Sequence, residues 1–233
     1  MSTLSTLYRL ILRSQASRGR VVAVIVLTLF PLAIAIAQRA GGSTTNTVLS
    51  EVVLAVSIPL TALVMGTASL GDLRDDSTLV YLWLRPGSRW ALALGATLAT
   101  ASVTILCGVV GALGAMIPIG ADSGDMIAGL VAAVLAALAY GALGTLAGVL
   151  STRSLVWGLI YLLAWETVVV RLFSGAARLS VLAQARSVAR SEILTITTDL
   201  APYGAIAAGV TLLLASAAAI ALTRARLDRM TVA

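Results

Sequence analysis

The chain has 233 residues, 59% of them apolar and 11% charged, with a mean hydropathy of +1.01 and a formal charge of +6. Apolar runs as long as Trp90 to Pro118 exclude the soluble classes and leave a polytopic membrane protein; the charge lies in short connections and at the ends, which reads as topology and not as nucleic-acid binding. All sixteen basic residues are Arg, His is absent and the one cysteine, Cys107, sits in an apolar run, so a Walker A loop, His-based triads, His or Cys metal clusters and internal disulfides are excluded.

The chain opens on a segment in which Leu4, Leu7, Tyr8 and Ile11 form one apolar stripe at helical spacing. Arg9, Arg13, Arg18 and Arg20 are free to face lipid headgroups, so residues 3–19 are expected to form an amphipathic helix in the membrane interface. Six apolar segments follow, measured against the ~20 helical residues that cross ~30 Å of hydrocarbon. They run roughly from Val21 to Ala37, Val52 to Leu70, Trp90 to Pro118, Met126 to Leu150, Ser154 to Val170 and Ala201 to Thr223. The first is too long for the apolar region of a signal peptide and is expected to be retained. No linker or internal repeat divides the chain, so residues 1–233 read as one all-helical membrane domain.

Arginines set the orientation. Eleven of them (Arg9, Arg13, Arg18, Arg20, Arg74, Arg85, Arg89, Arg153, Arg224, Arg226 and Arg229) fall on one side of the six-span layout and five on the other. The positive-inside rule then puts both termini in the cytoplasm of a cell that keeps the protein in its cytoplasmic membrane.

Between the second and third spans the text reads GDLRDDSTLVYLWLRPGSRW, with six charges: Asp72, Arg74, Asp75, Asp76, Arg85 and Arg89. At ~2.5 to 3.5 kcal/mol per central charge, burying six in the bilayer would cost on the order of 15 to 20 kcal/mol, so the stretch lies outside it, on the Arg-rich face. A short helix over about 75–84 would end before Pro86 and Gly87 and align Leu79, Leu82 and Trp83 on one stripe, with Asp72, Asp75 and Asp76 at its positive end. Such a helix either lies on the inner membrane surface or docks on a soluble partner, and the three carboxylates beside an anionic leaflet favour the partner.

Gly108, Gly111 and Gly114 in the third span, and Gly141, Gly144 and Gly148 in the fourth, permit close helix contact within one bundle. Asp122 and Asp125 in a tight hairpin, and Arg39 and Glu51 around the first outer loop, are expected to face water, and neither pair supplies enough ligands for Ca²⁺. Glu166 is the one acid well inside a span, about a dozen residues or roughly 18 Å past its cytoplasmic end. It either pairs with Arg171 and fixes a turn, or lines a path for a cationic substrate. Residues 171–200 carry too many charges to span and are expected to form short helices in, or dipping into, the outer interface.

The stretch DDSTLVYLWLRPGSRWALALG resembles the cytoplasmic signature of permeases of type 2 ATP-binding-cassette exporters. In that family acidic residues precede a Thr-Leu pair, a Leu-rich helix, a Pro and an Arg that opens the third span. Here these are Asp75 and Asp76, Thr78 and Leu79, Leu82 to Leu84, Pro86 and Arg89, with Ser77 where the family often has Gly. Trp165 and Glu166, followed by Arg178, Leu179 and Ser180, likewise resemble the end of the fifth span and the re-entrant region of such permeases. The resemblance implies a catalytically silent subunit that pairs with a second copy or a paralogue and binds two ATPase subunits. Those subunits carry the ATP and Mg²⁺, and the chain itself carries no cofactor. It further implies that Asp72, Arg74, Asp75, Asp76, Thr78, Leu79, Leu82, Trp83 and Arg85 form the contact with the ATPase. The competing expectation is an ion-coupled secondary transporter built around Glu166, which calls for inverted repeats with paired broken helices.

Overall fold

The computed structural model describes residues 3–41, 47–75, 88–151, 153–172, 176–189 and 204–229, and every regular element among them is helical. Helix α1 covers Thr3–Gln15 and α2 covers Arg18–Ala40. Helix α3 opens with π-helical geometry over Val48–Ser57 and continues as an α-helix over Ile58–Asp75. The wide register ends two residues before Pro59, whose ring would collide with the carbonyl four residues back in a regular α-helix. Helix α4 is Arg89–Met116, extended by the 3₁₀ turn Ile117–Ile119, and α5 is Ser123–Leu150. Helix α6 runs as α-helix over Ser154–Ile160, as π-helix over Tyr161–Val169 and ends in Val170–Leu172. A 3₁₀ turn, Ala176–Leu179, leads into the short α7, Val181–Val188, and α8 is Ala205–Arg229.

Among the described residues five helices are long and apolar enough to cross a membrane: Arg18–Ala40, Val48–Asp72, Arg89–Ile119, Ser123–Leu150 and Ala205–Arg229. The expected fifth span is a shorter apolar helix, Ser154–Glu166, before the chain reaches α7. Apolar side chains point outward on the peripheral helices, among them Val22, Ile25, Val26 and Leu29 on α2 and Ile206, Val210, Leu213 and Leu214 on α8. An outer surface of this kind has no place in water and marks a protein embedded in a membrane.

The bundle is built on α3 and α5. Gly66 of α3 and Gly144 of α5 bring the two backbones into contact: a methyl group added at Gly66 would stand 2.5 Å from the Gly144 carbonyl carbon. Close approach of this kind supplies the dispersion contacts that hold helices together where lipid is as apolar as leucine. Alanines 132, 133, 136, 137 and 139 of α5 are buried around it, meeting Leu49, Val53, Leu54 and Ile58 of α3, Met116 of α4, Leu182 of α7 and Leu212 of α8. The glycines of α4 serve the same end, with Gly108 under Ile58, Gly111 under Pro31 and Val53, and Gly114 under Leu32 of α2. At the turn between α4 and α5 the chain takes a left-handed residue, and Gly120 fills it at φ 70°.

Two expectations about the N-terminal segment are corrected. The first helix stops at Gln15 instead of reaching residue 19, because Ala16 and Ser17 leave helical geometry, and Arg18 and Arg20 belong to α2. Its apolar stripe also faces protein: Ile11 is fully buried with Leu70, Leu92, Ala96, Val149 and Leu227, and Leu7 and Tyr8 lie against the same cluster, while Arg9 and Arg13 are exposed.

Candidate functional site

Two clusters of polar side chains stand at opposite ends of the bundle. The first surrounds the charged stretch between α3 and α4. Asp72, at the end of α3, is held in a two-pronged pair by Arg20 at the start of α2, with nitrogen–oxygen distances of 2.6 and 3.0 Å. Ser88 caps α4 by accepting from the Ala91 N–H at 3.2 Å, and Arg89 at the first position of α4 reaches Asp228 near the end of α8 at 2.8 Å. Arg224 of α8 lies over the Trp90 ring, 4.7 Å from its centre, and its Nε is 3.5 Å from the same Asp228. Both helix ends that flank the charged stretch are thus tied to a different neighbour.

Helix α1 binds this end together. The Gln15 amide is buried and donates to the Met65 carbonyl of α3 and the Thr100 hydroxyl of α4, both at 3.1 Å, and the Tyr8 hydroxyl donates to Ser102 at 3.1 Å. Gln15 was not among the expected site residues. The signal was available, because it follows Ile11 by four and Tyr8 by seven and completes the stripe. Of the expected contact residues, Asp72 is placed as above. Asp75 is the last residue of α3 and not the first of a separate helix. Asp76, Thr78, Leu79, Leu82, Trp83 and Arg85 lie outside the described residues, as do the side chains of Arg74 and Asp75.

The second cluster holds α7. Glu166, 5% exposed, accepts from the Tyr161 hydroxyl at 3.0 Å, from the Ser180 hydroxyl in a short contact, and from the N–H groups of Val181 and Leu182 at 3.1 and 3.4 Å. Those two amides open α7, so the carboxylate occupies the positive end of the helix and satisfies donors that have no partner within it. Ser180 adds a second cap by accepting from Ala183 at 3.0 Å. Ionised carboxylates cost ~2.5 to 3.5 kcal/mol at the centre of a bilayer. Four donors to one buried acceptor, each contributing roughly 0.5–1.5 kcal/mol or more, offset much of such a cost.

Further along α7, Arg186 is buried and donates to Glu51 at 2.7 Å and to the Ser50 carbonyl at 3.4 Å. Glu51, expected to face water around an outer loop, is 51% exposed and is at the same time the counter-ion of Arg186 on α7. Both carboxylates that hold α7 stand on π-helical turns, Glu51 on Val48–Ser57 and Glu166 on Tyr161–Val169. Gln184 donates to the Arg178 carbonyl at 2.9 Å, and the buried Tyr140 hydroxyl stands near both Glu166 and Arg186 without meeting hydrogen-bond geometry to any group. The Arg171 side chain, expected as the partner of Glu166, lies outside the described side chains. In the hairpin, Asp122 caps α5 by accepting from Gly124 at 3.4 Å. Among the described residues no three His, Cys, Asp or Glu side chains converge as a metal site requires.

No family model matches the chain, and no curated protein matches it; what it does is read from these two clusters and from the pattern of its residues.

Proposed function

We propose that the chain is the membrane permease subunit of an ATP-driven exporter of the type 2 ATP-binding-cassette kind. In this reading α6 is the fifth of six spans, both termini lie in the cytoplasm of a cell-membrane protein, and α7 lies in the outer interface. The subunit hydrolyses nothing itself. A soluble ATPase partner grips the stretch from Asp72 to Arg89, and a second permease copy or paralogue completes the path.

The observation that carries the proposal is the anchoring of that stretch. Asp72 ties its beginning to α2, Arg89 and Trp90 tie its end to α8, and α1 clasps α3 and α4 through Gln15. Force applied between Asp72 and Arg89 therefore reaches five helices at once. The two ion pairs have side chains partly open to solvent and exchange partners at small cost, as a moving joint must, while the buried Gln15 contacts hold α1 in place. Useful coupling also requires the ATPase to hold the stretch differently in its two states, since equal affinity for both would shift nothing.

Engagement of Glu166 by four donors supports a structural role for it over proton or cation relay. Purification of the intact protein from its native membrane tests the proposal. A stoichiometric ATPase is expected to accompany it, and Leu82→Asp combined with Trp83→Asp is expected to release that ATPase while the permease stays folded. Transport by the chain alone on an ion gradient, abolished in Glu166→Gln, would overturn the proposal in favour of ion coupling.

A further inference from the structure

A trough of about 390 Å³ lies between α3, α5 and α6. Its walls are almost wholly apolar: Leu63 of α3, Leu143, Ala147 and Leu150 of α5, and Trp157 and Leu162 of α6. Small residues line the floor: Gly144, whose added methyl group would strike the Ala62 carbonyl and which therefore lets α3 and α5 approach beside the trough, and Ala147, which projects little.

The dimensions of the trough fit one kind of occupant. Along α5 it extends from Tyr140 to Ser151, about 16 Å at helical rise. Half of a ~30 Å hydrocarbon layer is ~15 Å, so the trough is as deep as one leaflet. An apolar chain laid along a trough of this size would make dispersion contacts with its whole lining. One end of its lining reaches the turn between α5 and α6 at Ser151 and Ser154, and the cation among the described residues of that turn is Arg153. Arg153 is exposed, its backbone N–H is held by the Ser151 hydroxyl at 3.1 Å, and no described carboxylate pairs with it. An apolar trough one leaflet deep with a guanidinium at its rim matches an anionic lipid: acyl chain inside, phosphate at the rim.

We propose that this trough is a binding site for one anionic glycerophospholipid, with an acyl chain along Leu143, Ala147 and Trp157 and the phosphate on Arg153. The acyl chain gains little on leaving one apolar phase for another, so selectivity comes from the headgroup. One arginine near an anionic lipid surface contributes ~1 kcal/mol, or about a fivefold preference over a zwitterionic lipid. The site does not depend on the transport reading, since it needs neither an ATPase nor a second copy.

Delipidated protein in mild detergent, titrated with phosphatidylglycerol or phosphatidylcholine and weighed intact by native mass spectrometry, tests the proposal. One phosphatidylglycerol per chain is expected to be retained, with about fivefold preference over phosphatidylcholine. Arg153→Gln is expected to erase the preference and leave weak binding of both lipids. Ala147→Phe, which fills the floor, is expected to abolish retention of both, and Ala147→Leu serves if the larger side chain prevents folding. Equal retention of the two lipids by the native chain, or undiminished retention in every Ala147 variant, would overturn the site. Disulfide cross-linking of Leu150→Cys between two chains in membranes would likewise overturn it, by giving the trough to a second copy.

Discussion

The two ends of the bundle join helices with the same residue types and achieve different things. Around Asp72 and Arg89 the ion pairs are open to solvent: side-chain exposures are 27% and 41% for Arg20 and Asp72, and 45% and 37% for Arg89 and Asp228. Around α7 one partner of each contact is buried: Arg186 is 6% exposed against 51% for its partner Glu51, and the hydrogen-bonded Glu166 is 5% exposed. Exposed pairs contribute ~0–1 kcal/mol and re-form readily, whereas breaking a buried one strands a charge at a cost of several kcal/mol. One end is therefore a joint that can change its contacts, and the other a fastening that keeps α7 in a single position. The permease function proposed above would use both, because motion is transmitted only relative to something held still.

The largest expected effect comes from undoing the fastening at its strongest point. Glu166→Ala leaves the hydroxyls of Tyr161 and Ser180 and two helix-opening amides without their acceptor, for an expected loss of about 3–5 kcal/mol. Glu166→Gln retains one acceptor oxygen and is expected to lose about half as much. Thermal unfolding of the purified variants, with proteolysis near α7 as a local readout, measures both. Equal stability of Glu166→Ala and the native chain would show that α7 is held by packing alone.

The next effect sharpens the contrast between buried and exposed charge within one pair. Removing Glu51, half open to solvent, strands the buried Arg186, whereas removing Arg186 leaves a carboxylate that water can solvate. Glu51→Ala is thus expected to destabilise by roughly 1–3 kcal/mol, and Arg186→Met, similar in volume, by clearly less. The double variant should resemble Arg186→Met. The same unfolding measurement decides it, and an inverted order would mean that the Ser50 carbonyl, not Glu51, carries Arg186.

The spans and the charged stretch were legible in the sequence, whereas the contacts that tie either end of the bundle were not, for a physical reason. Span positions follow from local hydropathy, so the helices from Arg89 and from Ser123 lie within a few residues of where their apolar runs begin. Charges crowded between two such runs announce themselves in the same way. Glu51 and Arg186 lie 135 residues apart and Gln15 and Thr100 lie 85 apart, and no local pattern joins either pair. Glu166 stood out because a lone acid in an apolar run is costly. Three of its four donors come from the far side of the turn, where only Ser180, placed before an apolar stretch, left a trace; the fourth, Tyr161, is on its own helix. The stripe on α1 was visible, but periodicity shows only that a face is covered. Whether lipid or α4 covers it depends on the tertiary fold.

The smallest expected effect tests the joint itself. Arg20 and Asp72 form a two-pronged pair at the surface, which places its contribution near 1 kcal/mol at low salt and lower at high salt, since the Debye length shrinks from ~10 Å at 0.1 M to ~3 Å at 1 M. Asp72→Asn is therefore expected to leave thermal stability within about 1 kcal/mol of the native value, with the remaining difference vanishing at high ionic strength. Reversing both charges, Arg20→Asp with Asp72→Arg, is expected to restore the low-salt value, because the surroundings are wet enough to accept either polarity. A half-buried pair such as Glu51 and Arg186 would not tolerate that exchange, since a carboxylate put in place of the buried guanidinium would face the Ser50 carbonyl that now accepts from Arg186. The two exchanges done side by side separate a contact that stabilises one arrangement from a contact that lets the arrangement change, and a large salt-independent loss at Asp72 would place it with the fastenings.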